Sequence, residues 1–326
     1  MRASPVPTSG FPRFLLPTTI CLLAACPGAW GQERAGSSKL ITRELSLGKI
    51  PLTARRTNTV VSADSRHAAY PVVGAGGWRV SLDGMEGTNY GRVENLAFSP
   101  DGKRFAYAAR RGSKWRAVVD GKEGPAFDGI GEVSTLFSPD SRRTAYSALR
   151  GSKSLVVADG HEGPAFEAIG AGCPLFSSDS RRVAYVAKRG SREAVIVDGK
   201  EMGAFDGIAP GSLRFSPDSR RVAFVASRQG RMQMVVDGKA GAVFDQIWDG
   251  SPVFSPDSRH IAFGGTRHGK SVVVVDGQES KEYAAPAGRL VFDGSALVRV
   301  VVCREDESFN QELLRVEIET AEEKRP

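Results

Sequence analysis

Short apolar runs of strand length recur along the chain, separated by clusters of Gly, Pro, Asp and Ser. The unit from residue 213 to residue 251 shows the order of the parts. Leu213-Arg214-Phe215 predicts a short strand, and Ser216-Pro217-Asp218-Ser219 predicts a turn. There proline presets φ and the aspartate side chain can accept a backbone N–H. Val222-Ala223-Phe224-Val225 predicts a second strand, which Gln229-Gly230 ends. Met232 to Val236 predicts a third, closed by Asp237-Gly238, a hairpin turn signal. Ala242-Val243-Phe244-Asp245 leads into a fourth.

The unit repeats. Aspartates equivalent to Asp218 stand at Asp64, Asp101, Asp140, Asp179, Asp257 and Asp293, with steps of 36, 37 or 39 residues. An Asp-Gly pair recurs at Asp83, Asp120, Asp159, Asp198, Asp237 and Asp276, first after 37 residues and then every 39. Two independent markers share one period near 40 in a strand-rich chain, and four antiparallel strands per period make one propeller blade. The expected fold is therefore all-β, a seven-bladed β-propeller of four-stranded antiparallel blades. Inner strands are expected to begin near residues 59, 96, 135, 174, 213, 252 and 288. The last unit lacks a fourth strand, and Leu40–Ser46 is free to supply it by pairing with residues 313–318 and closing the ring. Six blades is the alternative, with the degenerate terminal units forming one composite blade. A phenylalanine heads each central unit (Phe98, Phe137, Phe176, Phe215, Phe254) and is expected between blades. Burying each is worth about 1.5–3 kcal/mol, so a lone blade is not stable.

The motif F-S-P-D-[SG]-[KR]-R-x-A-[FY] resembles the WD40-like propeller repeat of TolB and its relatives, found also in the propellers of prolyl oligopeptidases. The resemblance covers residues 59–303 and lacks the Gly-His and Trp-Asp markers of eukaryotic WD repeats. TolB-type proteins carry an α/β domain ahead of the propeller, and the peptidases carry a hydrolase domain. Here 27 residues, 32–58, separate the N-terminal segment from the first unit. The resemblance thus implies a propeller and exported scaffold behaviour, without catalysis.

The expected boundaries are a signal peptide at 1–31, a segment at 32–58 holding the ring-closing strand, the propeller at 59–320 and a tail at 321–326. Residues 1–31 hold Arg2 and Arg13, a mostly apolar run FLLPTTICLLAA and small residues before Gln32, the layout of a secretory signal. The competing reading is a lipobox, Leu23-Ala24-Ala25-Cys26, which would leave the chain lipid-anchored at Cys26. The expected location is secreted or periplasmic, with membrane association only through Cys26. Loss of residues 1–31 lowers the formal net charge from +7 to +5, and export argues against a nucleic-acid partner. Cys173 and Cys303 then remain, on blades far apart, and are expected as free thiols.

No G-x-S-x-G elbow or H-E-x-x-H spacing occurs, and no catalytic residue, metal ligand or cofactor site is expected. His67 and His260 stand in a column otherwise held by Arg or Lys and read as solvated turn residues. Cys173 aligns with Asn95, Ser134, Ser212 and Ser251, a column of small residues. Asp128, Glu167, Asp206 and Asp245, each following a phenylalanine, could form an acidic ring for a cation or for acid–base work, but exposed ion pairs between blades account for them better. The basic columns are the sharper candidates for partner binding. Arg111, Arg150, Arg189, Arg228 and Arg267 recur every 39 residues, as do Lys114, Lys153, Arg192, Arg231 and Lys270. All fall between the second and third strands, on one face of the ring. Trp248 occupies a loop position whose counterparts include Gly131, Gly170 and Ala209, which suits an interface hot spot or an apolar cap. The reading is a non-catalytic, monomeric scaffold presenting one face to a protein or anionic partner. The alternatives are a glycosidase- or lyase-type enzyme at the channel mouth, or a carbohydrate-binding propeller using Trp78, Trp115 and Trp248.

Overall fold

The computed structural model describes residues 44, 46, 58–131, 137–305 and 311–319. The chain divides into two compact units, 1–45 and 46–326, and every described strand belongs to the second. Among the described residues all regular structure is β, arranged as seven consecutive antiparallel sheets. They span residues 60–86, 92–123, 129–162, 168–205, 207–244, 246–279 and 285–319, and are numbered here in that order.

The fifth sheet shows how the sequence builds one. Gly207–Ile208 and Arg214–Phe215 pair with the two ends of Val222–Arg228. That strand pairs with Arg231–Val236, which pairs with the edge strand Lys239–Phe244. Asp237 and Gly238 both have positive φ, as the tight turn between the last two strands requires. The inner strand thus begins at 207 rather than 213 and is split, with residues 209–213 looping out between its halves. The expectation placed its start too late because the loop interrupts the apolar pattern. In the second sheet the inner strand is continuous, Arg92–Phe98, but bulged between Glu94 and Ala97.

Successive sheets share apolar clusters: the first with the second, the second with the third, and the third through the fifth in one block. The fifth packs on the sixth and the sixth on the seventh. Tyr70 and Val72 of the first sheet occupy the positions of Tyr107 and Ala109, which face the preceding sheet. They are 3% and 2% exposed, so these two positions are buried as well. The fold is a β-propeller with seven sheets among the described residues. In the seventh sheet, Leu297–Glu305 pairs with Gln311–Glu319, and no fourth strand is paired beyond it among the described residues. The expected closing segment, 40–46, lies outside the described residues apart from Glu44 and Ser46.

The S-P-D-S-x-R motif recurs because it clamps each sheet to the next. In the second sheet the Ser99 hydroxyl donates to Asp101 at 2.6 Å and accepts the Arg104 N–H at 2.9 Å. The Asp101 N–H donates to Ser141 Oγ of the third sheet at 3.0 Å. Arg104 donates through Nε to Asp120 at 2.8 Å, and through Nη1 to the carbonyls of Ser141 and Arg142 at 3.0 and 2.7 Å. Its guanidinium also lies over Phe137, the head phenylalanine of that next sheet. Arg143 and Arg182 repeat the whole arrangement. Phe137 and Phe176 are buried as expected, whereas Phe215 and Phe254 are half-buried beneath Arg182 and Arg221, and Phe98 is half-buried and stacked on His67. His67 and His260 are not merely solvated: each holds Nδ1 2.6 Å from the Asp-Gly aspartate, Asp83 or Asp276, where the other units place an arginine.

Asp101, Asp140, Asp179 and Asp218 are held below the ordinary carboxylate range, first by the serine hydroxyl two residues back and then by a backbone N–H. A depressed folded-state pKa gives stability that is complete above the unfolded value of about 3.9 and is lost as pH falls through the folded value. The urea midpoint is expected to hold from neutral pH down to about pH 5 and to fall below about pH 4. In Ser138→Ala/Ser177→Ala that acid decline should be shallower. An identical acid profile for parent and variant would show that the serines do not set these titrations.

Candidate functional site

The ten basic column residues do not sit in free loops. Each pair, Arg111 with Lys114 through Arg267 with Lys270, forms the last rung of the ladder between the second and third strands of its sheet, closed by a two-residue turn. The arginines lie back over an aromatic residue of the preceding sheet. Arg111 covers Tyr90, Arg150 covers Phe127, Arg189 covers Phe166, Arg228 covers Phe205 and Arg267 covers Phe244, at 5.1 to 5.9 Å from ring centre. The sequence alone gives this aromatic column no partner. Its signal was present, since each member directly precedes the connecting acid or its counterpart.

Many of these cations are already matched. Arg111, Arg150 and Arg267 bond Glu123, Glu162 and Glu279 at 2.8, 2.5 and 2.6 Å. Lys114, Lys153 and Arg231 reach Asp128, Glu167 and Asp245 at 2.6, 3.9 and 3.1 Å. Four cations, Arg189, Arg192, Arg228 and Lys270, have no carboxylate within 4.0 Å among the described residues. They belong to the fourth, fifth and sixth sheets, so the unmatched positive charge is concentrated on one sector of the face. The acid column has a structural use. Asp128, Asp206 and Asp245 accept the N–H of Gly151, Gln229 and His268, at 2.8, 2.6 and 2.8 Å, in the hairpin turn of the following unit. Asp128 is kept below its usual range first by Lys114 and then by that N–H.

The remaining candidates resolve separately. Trp248 is half-buried, its indole N–H donating to Thr266 Oγ1 at 3.2 Å, with its ring laid on Gly264. The geometry is that of the apolar cap. Cys173 and Cys303 are both free. Cys173 is buried, and its Sγ accepts the Val186 N–H at 3.4 Å, as the hydroxyls of Ser212 and Ser251 accept the N–H of Val225 and Gly264. Burial pushes its thiol pKa up, which opposes thiolate chemistry. Trp78 and Trp115 lie on third strands of the first and second sheets, paired to Tyr90 and Phe127, and not beside Trp248. Among the described residues, no helix is long and apolar enough to cross a membrane.

No known family pattern and no curated protein sequence matches the chain. Solved structures do. One is a eukaryotic initiation factor, 12% identical over 84% of this chain and 78% of that one, with a TM-score of 0.45. The TolB protein of Acinetobacter baumannii is 15% identical over 67% of this chain and 64% of its own, with a TM-score of 0.32. The Cps50 (Swd1) β-propeller domain of Myceliophteria thermophila is 12% identical over 82% of this chain and 99% of that domain, with a TM-score of 0.33. At such identities the likeness speaks to fold alone, and the propeller assignment rests on this chain's own sheet order and period.

Proposed function

We propose that the protein is an exported, non-catalytic propeller scaffold that binds an acidic protein partner through the hairpin face of its fourth, fifth and sixth sheets. The observation that supports this is the set Arg189, Arg192, Arg228 and Lys270, which are not matched by carboxylates while their counterparts in the second and third sheets are. Unmatched charge on one rim raises the encounter rate with an oppositely charged partner, and salt removes the effect. The acid column is engaged in holding neighbouring turns, which favours a structural role for it over acid–base work.

The test is kinetic. A partner captured from envelope extract should associate about three- to tenfold more slowly with Arg192→Gln/Lys270→Gln at low salt, because rim charges act mainly on association. Lys114→Gln/Lys153→Gln should change the rate little, since those cations are already paired. Equal rates for all three proteins at low salt would refute the assignment of this sector.

A further inference from the structure

The fourth strands differ among units in a way the hairpin face does not explain. In the second, third and sixth sheets the edge strand is only two residues long: Lys122–Glu123, His161–Glu162 and Gln278–Glu279. Pro125 and Pro164 follow the first two of these and keep the edge from extending. In the fifth sheet the equivalent position is Ala242, and the edge runs for six residues, Lys239–Phe244. Its sequence KAGAVF carries one charge, and Val243 is 41% exposed. The fourth sheet has an edge of the same length, but there Lys200 and Glu201 put two charges on it and Gly203 adopts φ 107°. The fifth sheet alone therefore presents a long, nearly uncharged edge among the described residues.

Beside that edge lies a groove of about 600 Å³ between the fifth and sixth sheets. Met234, Val236, Ala240, Ala242, Ile261 and Phe263 line it. The corresponding groove between the second and third sheets is about 410 Å³ and carries Glu123, Pro125 and Tyr146 where this one carries Ala240, Ala242 and Phe263. Met234 and Ile261 likewise stand where the sister groove has Ala117 and Thr144, so five substitutions accompany the larger, more apolar groove. Its own acids are spent, Asp237 on Arg221 at 3.2 Å and Asp276 on His260 at 2.6 Å. At the rim, Lys239 has no carboxylate within 4.0 Å among the described residues. Arg259 is 77% exposed and reaches only Asp257 of its own turn, at 3.9 Å.

We propose that the edge Lys239–Phe244 accepts an extended peptide segment of a partner protein as an added strand, with an apolar side chain of that segment in the groove and acidic residues beside it facing Lys239 and Arg259. An unpaired edge supplies main-chain hydrogen bonds, and alternate side chains of an added strand fall on one face of the sheet, which gives selectivity. The inference rests on the reading of the protein as a binding scaffold but not on the hairpin face.

Two substitutions that copy the sister units test it. Ala242→Pro restores the edge breaker of Pro125 and Pro164, and Ala240→Glu restores the carboxylate of Glu123 and Glu162. Both should melt close to the parent. The probe is a phage-displayed library of short random peptides panned on the purified full-length chain. Retained peptides should alternate apolar residues beside Asp or Glu, and synthetic copies should lose about tenfold or more in affinity on each variant. Arg192→Gln/Lys270→Gln should leave that affinity unchanged. If no peptide is retained, or if retained peptides bind the two folded variants like the parent, the proposal is overturned. If affinity falls only in Arg192→Gln/Lys270→Gln, the groove is overturned and the hairpin face stands.

Discussion

Gly264→Val should destabilise the protein by about 2–3 kcal/mol, and adding Trp248→Ala should restore most of the loss. A methyl group on Gly264 would lie 1.9 Å from Cε3 and 2.1 Å from Cδ2 of Trp248, so the ring must leave its place. The repeat shows the compensation directly. Residues sixteen apart face each other here, giving the pairs Gly131 with Ser147, Gly170 with Val186, Ala209 with Val225 and Trp248 with Gly264. Where the loop residue is small, the strand supplies the side chain, and where the loop supplies a tryptophan, the strand supplies none. The double variant rebuilds the Ala209–Val225 pair of the fifth unit in the sixth. Trp248→Ala alone should cost about 2 kcal/mol, because it leaves an unfilled space over Gly264. The coupling, read from urea midpoints of the four proteins, should be about 3 kcal/mol or more in the direction of rescue. Additive losses would mean that the ring does not occupy this site.

That pair also shows what the sequence made legible. The period, the turns and the strand count were readable because Pro, Asp and Gly act within a few residues of themselves. Trp248 was visible as a departure from its column, and so was Gly264 from its own. What joins them is a strand pairing across sixteen positions, and no local pattern declares it. The same holds for the arginine after S-P-D-S. Its acid lies sixteen residues on, and the carbonyls it bonds belong to the next sheet, 37 and 38 residues away. The basic columns were found by spacing alone, but spacing could not tell matched from unmatched charge. Glu123 and Glu162 neutralise their arginines, while Ala240 stands in that position opposite Arg228. The split of the inner strands escaped for a related reason: a two-residue half-strand such as Gly207–Ile208 exists only through its pairing with Ala226 and Ser227.

Phe244→Ala should produce the largest single loss, about 3–5 kcal/mol. The ring is fully buried, packed edge-on against Phe263 at 5.5 Å between centres, with the Arg267 guanidinium 5.1 Å from its centre. It also rests on Gly265, where a methyl group would come within 2.5 Å of Cδ1. The counterparts of Gly265 are Ala148, Ala187 and Ala226, so this sheet pair has one methyl fewer beside the ring. Removing the ring leaves a cavity that a glycine cannot help to fill, and it leaves Arg267 with only Glu279. Phe244→Leu retains most of the volume and should cost less than about 1.5 kcal/mol. The effect should also be local before it is global. Phe244 is the last residue of the edge strand, and it alone of that strand is buried, so amide exchange across 239–243 should speed up in Phe244→Ala under conditions where the sheets stay folded. An edge that frays cannot template a sixth-sheet-facing peptide strand, so peptide affinity should fall together with exchange protection. Full protection of 239–243 in Phe244→Ala would show that the hairpin turn at Asp237-Gly238, and not the buried ring, holds this edge in place.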